Sequence, residues 1–198
     1  MKKEFLITVC ASGGGGNFQA LIDGQGAAGY KINLLIADRK CGAIERAILN
    51  NIKYVLLKKK ELGEHFYDSM HEAVPPGTDL IVLAGFMPIL SRDFCLKWES
   101  KIINTHPSLL PKYGGKGMYG VKVQEAVMNA KEKYAGCTVH YVDDKIDNGQ
   151  IILQKSIEVN YNETPWELGG RIFKEENKLL VDAVKLIKNE KNREIVNV

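Results

Sequence analysis

Five short apolar runs, each followed by a stretch with helical spacing, constrain this chain more than any other feature. They are FLITVCA (5–11), INLLIAD (32–38), YVLL (54–57), DLIVLAG (79–85) and KIINTH (101–106). A strand with one wet face alternates apolar and polar residues. These runs do not, so both of their faces must be covered. The intervening segments can do the covering. NFQALIDG carries Phe18, Leu21 and Ile22 at helical spacing, GAIERAILNN follows the second run, and ELGEHFYDSMHEAV ends at Pro75-Pro76. Ser91 is suited to cap a further helix. Right-handed crossovers between parallel strands then predict an α/β, Rossmann-like, doubly wound first half to about residue 106, with DLIVLAG as its central strand.

The second half is patterned differently. Glycine-rich KYGGKGMYG (112–120) leads into helical VKVQEAVMNA (121–130). Two strand patterns, GCTVHYVDD and QIILQKSIEV, are joined by KIDNG, whose Asn148-Gly149 is a turn signal. A last helix, capped by Thr164 and opened by Pro165, is expected to run to about Asn189. REIVNV (193–198) is left as an edge strand or a loose tail. The expectation is one domain over 1–198, divided at 106, with a mostly parallel sheet, an added hairpin and a long final helix.

Composition excludes several functions. Twenty-seven basic against 24 acidic residues leave a net charge of +3, with the lysines scattered, so no nucleic-acid partner is expected. The run Lys58-Lys59-Lys60 reads as a solvated face. Cys10, Cys41, Cys95 and Cys137 form no Cys-x-x-Cys pair, which argues against zinc and against a redox couple; Cys10 and Cys137 read as small hydrophobes. His65 and His71, six apart on a polar helix, fail metal spacing. No serine sits in a Gly-x-Ser-x-Gly elbow. MKKEFLITVCASGGGG runs into glycines rather than a cleavage site, and no segment approaches the ~18 apolar residues that span a bilayer. A cytoplasmic chain with reduced cysteines and no membrane partner is the expectation.

Two segments carry chemistry. ASGGGGNFQALID follows a strand and opens a helix, where free N–H groups and the positive helix end face outward together. It lacks the Gly-Lys-Ser/Thr of a P-loop, and Phe18 stands where a dinucleotide fingerprint needs its third glycine. A single phosphate, as on a ribose phosphate, fits it better than a plain tight turn does. In INTHPSLLPKYGGKG, Asn104 and His106 are two apart in a strand, so both leave one face at the carboxyl end where ligands of such sheets bind. A neutral amide donor beside an imidazolium can hold a developing oxyanion, as acyl transfer requires. His140 lies in a strand leading to Asp143, Asp144 and Asp147. A carboxylate near His106 would keep it charged and relay a proton, but spacing does not choose among the three.

LAGFMPILS, INTHPSLLPKY, GCTVHYVDDKIDNGQIILQ and SGGGGNFQALID together resemble the phosphoribosylglycinamide formyltransferase family of folate-dependent enzymes, in order and over nearly the whole chain. The resemblance implies formyl transfer from 10-formyltetrahydrofolate, as co-substrate, to the amine of 5'-phosphoribosylglycinamide, without a metal. It assigns the family's catalytic Asn, His and Asp to Asn104, His106 and Asp147. The phosphate loop falls on Gly15, Gly16 and Asn17, and a ribonucleotide-binding glutamate on Glu176. Folate contacts fall on Met87, Pro88, Ile89 and Leu90, on Asn104, and on Asp143, Asp144, Lys145, Ile146 and Asp147. Small-molecule substrates and a monomer or weak homodimer are expected. Formyltetrahydrofolate hydrolase and methionyl-tRNA formyltransferase are the nearest rivals, each expected to carry a domain for which this chain has no room. A non-catalytic sensor on the same fold would not need all three catalytic residues. Many relatives have Ser at the position of Gly16, Arg at Pro88 and a basic residue near Glu64. The last two usually meet the folate glutamate tail, a task open here to Arg92 or to the Lys58–Lys60 run. The segment 113–120 is longer than its counterpart in some relatives.

Overall fold

The computed structural model describes residues 4–196. Strand β1 (Phe5–Ala11) leads to α1 (Gly16–Ala28), β2 (Tyr30–Ala37), α2 (Gly42–Leu49) and β3 (Tyr54–Leu56). Helix α3 (Lys59–Leu62), a 3-10 turn (Gly63–His65) and α4 (Phe66–Ala73) precede β4 (Leu80–Leu83), α5 (Arg92–Lys97) and β5 (Ile102–His106). Helix α6 (Val121–Asn129), β6 (Tyr134–Tyr141), β7 (Ile151–Glu158) and α7 (Pro165–Val196) complete the chain. The strands form one sheet in the order β3-β2-β1-β4-β5-β6-β7, with β4 at its centre. Pairing is parallel from β3 to β5 and antiparallel from β5 to β7. This is the doubly wound, mostly parallel sheet with an added hairpin that the apolar runs require.

Double burial is visible strand by strand. Leu80 and Val82 of β4 enter a cluster with Phe18, Leu21, Leu180 and Val184 from α1 and α7. Ile81 and Leu83 enter another, with Phe66, Met70 and Phe94 from α4 and α5. Each such side chain contributes roughly 1.5–3 kcal/mol by leaving water. A third cluster joins Val127 of α6, Cys137 of β6, and Leu168 and Ile172 of α7. Burial pushes the Cys137 thiol up to about 12, and Cys10 likewise upward, so both behave as hydrophobes.

The helix ends follow local chemistry. The Ser91 hydroxyl accepts from Phe94 N–H at 3.2 Å. Thr164 and Glu167 form a reciprocal capping box, with Thr164 N–H on the Glu167 carboxylate at 2.7 Å and Glu167 N–H on the Thr164 hydroxyl at 3.3 Å.

Three boundaries differ from expectation. The stretch 61–74 is broken at Gly63, whose φ of 52° interrupts the helix. Strand β6 ends at Tyr141, three residues before Asp144, so the connection to β7 is a loop rather than a tight hairpin. Gly149 closes that loop where only glycine fits, because a Cβ would run into the Tyr141 carbonyl. Helix α7 continues through Val196 rather than stopping near Asn189. Its last turns are rich in Lys, Glu and Arg and meet no Gly or Pro stop. Four residues of REIVNV therefore extend a helix, and the last two lie outside the described residues.

Candidate functional site

Strand β5 separates two polar groups because neighbouring side chains take opposite faces. Ile102, Asn104 and His106 share the face of α4 and α5, while Thr105 faces Glu176 of α7. On the first face, Asn104 lies opposite His140 of β6, and its Nδ2 donates to His140 Nε2 at 3.2 Å. His140 Nδ1 donates to the Tyr141 carbonyl at 2.8 Å, which fixes the tautomer whose Nε2 accepts. Burial lowers the His140 pKa below its ordinary value, in keeping with a neutral ring. Its role toward Asn104 is orientation: it holds one amide N–H and leaves the other free.

His106 is 5% exposed. Its Nδ1 stands 3.5 Å from Asp147 Oδ2, and its Nε2 donates to the Tyr113 carbonyl at 2.8 Å. Asp147 Oδ2 also accepts from Gly115 N–H at 2.8 Å, and Oδ1 lies 3.7 Å from His140 Nε2. The loop after β5 thus closes on both members of the pair through its backbone. Asp147 has a φ of 53°, a left-handed conformation that Asp tolerates better than most residues, and this turns its side chain inward. Its two rivals point elsewhere. Asp143 accepts from Lys145 N–H at 2.8 Å, and Asp144 stands 3.8 Å from Arg92 Nε. Of the three aspartates, the structure brings only Asp147 to the imidazoles.

On the other face lies the glycine loop. Gly15, in the left-handed region at φ 73°, turns the chain into α1, and a Cβ there would collide with Ala43. Helix α2 ties down the loop carbonyls: Ala43 N–H donates to Gly13 O at 3.1 Å, and Arg46 Nε–H to Gly14 O at 2.8 Å. The N–H groups of the first turn of α1 have no carbonyl one turn back and stay available. Beside them, Asn17 Nδ2 donates to Glu176 Oε1 at 2.7 Å, while Asn17 Oδ1 is buried without a partner. Burial raises the Glu176 pKa, against the pull of the Asn17 hydrogen bond.

Between the two faces, the Ser12 hydroxyl accepts from Met87 N–H at 2.8 Å and joins the glycine loop to the segment after β4. Met87 and Ile89, exposed at 49% and 59%, form an apolar ledge after β4, and Ile146 in the loop before β7 is exposed at 39%. Tyr67 donates its hydroxyl to the Ile89 carbonyl and accepts from Lys59 Nζ at 2.9 Å. Lys59 is therefore held at this ledge, whereas Lys58 pairs with Glu61 at 2.7 Å and Lys60 is exposed. His65 is exposed, and half-buried His71 accepts from Trp98 Nε1–H at 3.2 Å. Among the described residues no group of His, Cys, Asp and Glu could hold a metal, and no helix is long and apolar enough to cross a membrane.

Sequence reasoning missed Ser12, the Tyr113 carbonyl, Gly115 N–H and the orienting role of His140. The first three act through backbone groups or across long sequence separations. His140 was legible as a polar residue in a strand that leads to acids, but not as the partner of Asn104.

The family model described as formyl transferase matches residues 6–184. The chain is 35% identical over 192 residues to the chloroplastic phosphoribosylglycinamide formyltransferase of Arabidopsis thaliana, covering 93% of this chain and 66% of that protein. It spans less than two thirds of that protein and of the Vigna unguiculata counterpart, and under a fifth of the trifunctional purine biosynthetic proteins it matches. Its fold matches the crystal structure of phosphoribosylglycinamide formyltransferase from Anaplasma phagocytophilum with a TM-score of 0.83 and 36% identity, over 96% of this chain and 89% of that one. The glycinamide ribonucleotide transformylase 1 of Symbiobacterium toebii superposes with a TM-score of 0.88 at 30% identity, over 96% and 90%.

Proposed function

The chain belongs to the formyl transferase family, and from that premise we propose that it transfers the formyl group of 10-formyltetrahydrofolate to the amine of 5'-phosphoribosylglycinamide, a step of purine synthesis. The observation that carries this reading is the meeting of Asn104, His106 and Asp147 at the end of β5, back to back with the Asn17–Glu176 pair and the glycine loop.

In this reading the phosphate lies on the backbone N–H groups of Gly15, Gly16 and Asn17, and Glu176 accepts from a ribose hydroxyl. The folate ring lies on the ledge of Met87, Pro88, Ile89 and Leu90 and against the loop Asp143, Asp144, Lys145, Ile146 and Asp147. Attack of the amine on the formyl carbon puts negative charge on the formyl oxygen. The free N–H of Asn104 donates to that oxygen. His106 Nε2–H does so when the oxygen replaces the Tyr113 carbonyl as its acceptor. Both donations strengthen as charge develops, so they lower the barrier rather than only the Michaelis constant. Asp147, beside Nδ1, offsets the charge of an imidazolium and helps to pass the amine proton to the departing folate nitrogen. Lys59 meets the glutamate tail of the folate, since it alone of the three lysines is tied to the ledge through Tyr67.

The test is a formyl-transfer assay with the ribonucleotide, water and initiator tRNA as competing acceptors. Selective transfer to the ribonucleotide is expected. Preferential hydrolysis, or transfer to tRNA, refutes the assignment.

A further inference from the structure

Residue 16 opens α1 as a bare glycine, yet the space a side chain would take there is filled. A Cβ built on Gly16 would overlap Phe173 Cζ and lie 2.9 Å from Cε1. The ring comes from α7, three residues before Glu176, so both project from one face of that helix. One meets residue 16 and the other residue 17. Phe173 is 40% exposed, and apart from Ile172 its neighbours from 171 to 178 are all polar. A solvated helix face has no need of a half-exposed phenyl ring whose tip points at a loop. In the adjacent residue, buried Asn17 Oδ1 still lacks a donor, an independent mark that a ligand belongs here.

We propose that Phe173 is a specificity-determining wall at the phosphate end of the nucleotide subsite, with the bare Gly16 as its complement. The proposal rests on the nucleotide reading above. The ring keeps water from one flank of the first-turn N–H groups, so a phosphate monoester meets donors with fewer competitors and in a lower dielectric. Its tip presents the positive rim of the aromatic quadrupole to the loop. Recognition then depends on backbone donors and a hydrocarbon edge rather than on a side-chain hydroxyl.

The test is a double-mutant cycle in the intact enzyme. Phe173→Ala removes the ring. Gly16→Ala ejects it, because the ring has solvent to swing into while the helix backbone stays in place. Each single variant is expected to raise the ribonucleotide KM about threefold to tenfold, Phe173→Ala with kcat and melting temperature held. The double variant should be no worse than either, since both remove one interaction. The KM for glycinamide riboside, which lacks the phosphate, should not move. A parent enzyme that ignores the ribonucleotide removes the nucleotide reading and this proposal with it. A parent that accepts it while Phe173→Ala keeps its KM, or while the two effects multiply, overturns this proposal alone.

Discussion

Replacing Asp147 by Asn removes one charge and almost no volume. The carboxylate Oδ2 accepts from Gly115 N–H at 2.8 Å, and an amide oxygen can take over that bond. The amide nitrogen then takes the place of Oδ1, 3.7 Å from His140 Nε2, whose lone pair already accepts from Asn104. The loop should therefore keep its shape. What is lost is the attraction between the carboxylate and the positive charge that the proposed transfer places on His106, 3.5 Å away, with side chains only 10% and 6% exposed. At an effective dielectric near 20 that attraction is about 5 kcal/mol. Water entry and relaxation return part of it, so a barrier increase of about 2.7–4 kcal/mol, or a 10²–10³-fold fall in kcat, is expected. Steady-state formyl transfer measures the fall. Calorimetric titration should show ribonucleotide affinity close to the parent's, because Asn17 and Glu176 lie across β5. Thermal melting excludes unfolding as the cause. A kcat within about fivefold of the parent would refute the electrostatic argument, because it corresponds to only about 1 kcal/mol.

Three further outcomes follow from the same geometry. Glu176 holds its proton more tightly folded than unfolded, so the native state binds more protons between those two values and stability falls as pH rises through them. Glu176→Gln should thus be more stable than the parent at pH about 8, equal to it below pH about 4, and weaker for the ribonucleotide; urea melts across that range decide, and a parent more stable at the alkaline end refutes the sign. His140→Phe leaves the Asn104 amide without its orienting partner and should lower kcat about tenfold with a smaller change in KM. It should also abolish the part of the acid-side stability loss, below pH about 6.5, that comes from the depressed His140 pKa. Lys59→Met should weaken polyglutamyl folate more than monoglutamyl folate, and Arg92→Ala, whose guanidinium sits by Asp144, should do so less; equal effects of Lys59→Met on both folates remove Lys59 from tail recognition.

Much of this protein was legible in its residues because the relevant forces are local. Runs such as LIVL have no polar face to offer water, so a sheet covered on both sides was dictated before any contact was known. Asn104 and His106 share a face by strand geometry, and Gly15 had to turn a strand into a helix. Periodicity does not record where a helix stops when good formers continue, so the end of α7 was misplaced. The choice among Asp143, Asp144 and Asp147 was left open by spacing and made by family likeness. Which of the three lies near His106 is visible only in the tertiary structure, where Asp147, at a left-handed backbone angle, has its carboxylate 3.5 Å from the ring. The Tyr113 carbonyl on His106 and the Phe173 ring against Gly16 were likewise invisible. Backbone groups are identical at every position, and contacts between residues more than a hundred apart leave no periodic trace. Which atoms meet there is settled by the packing of the whole sheet and its helices.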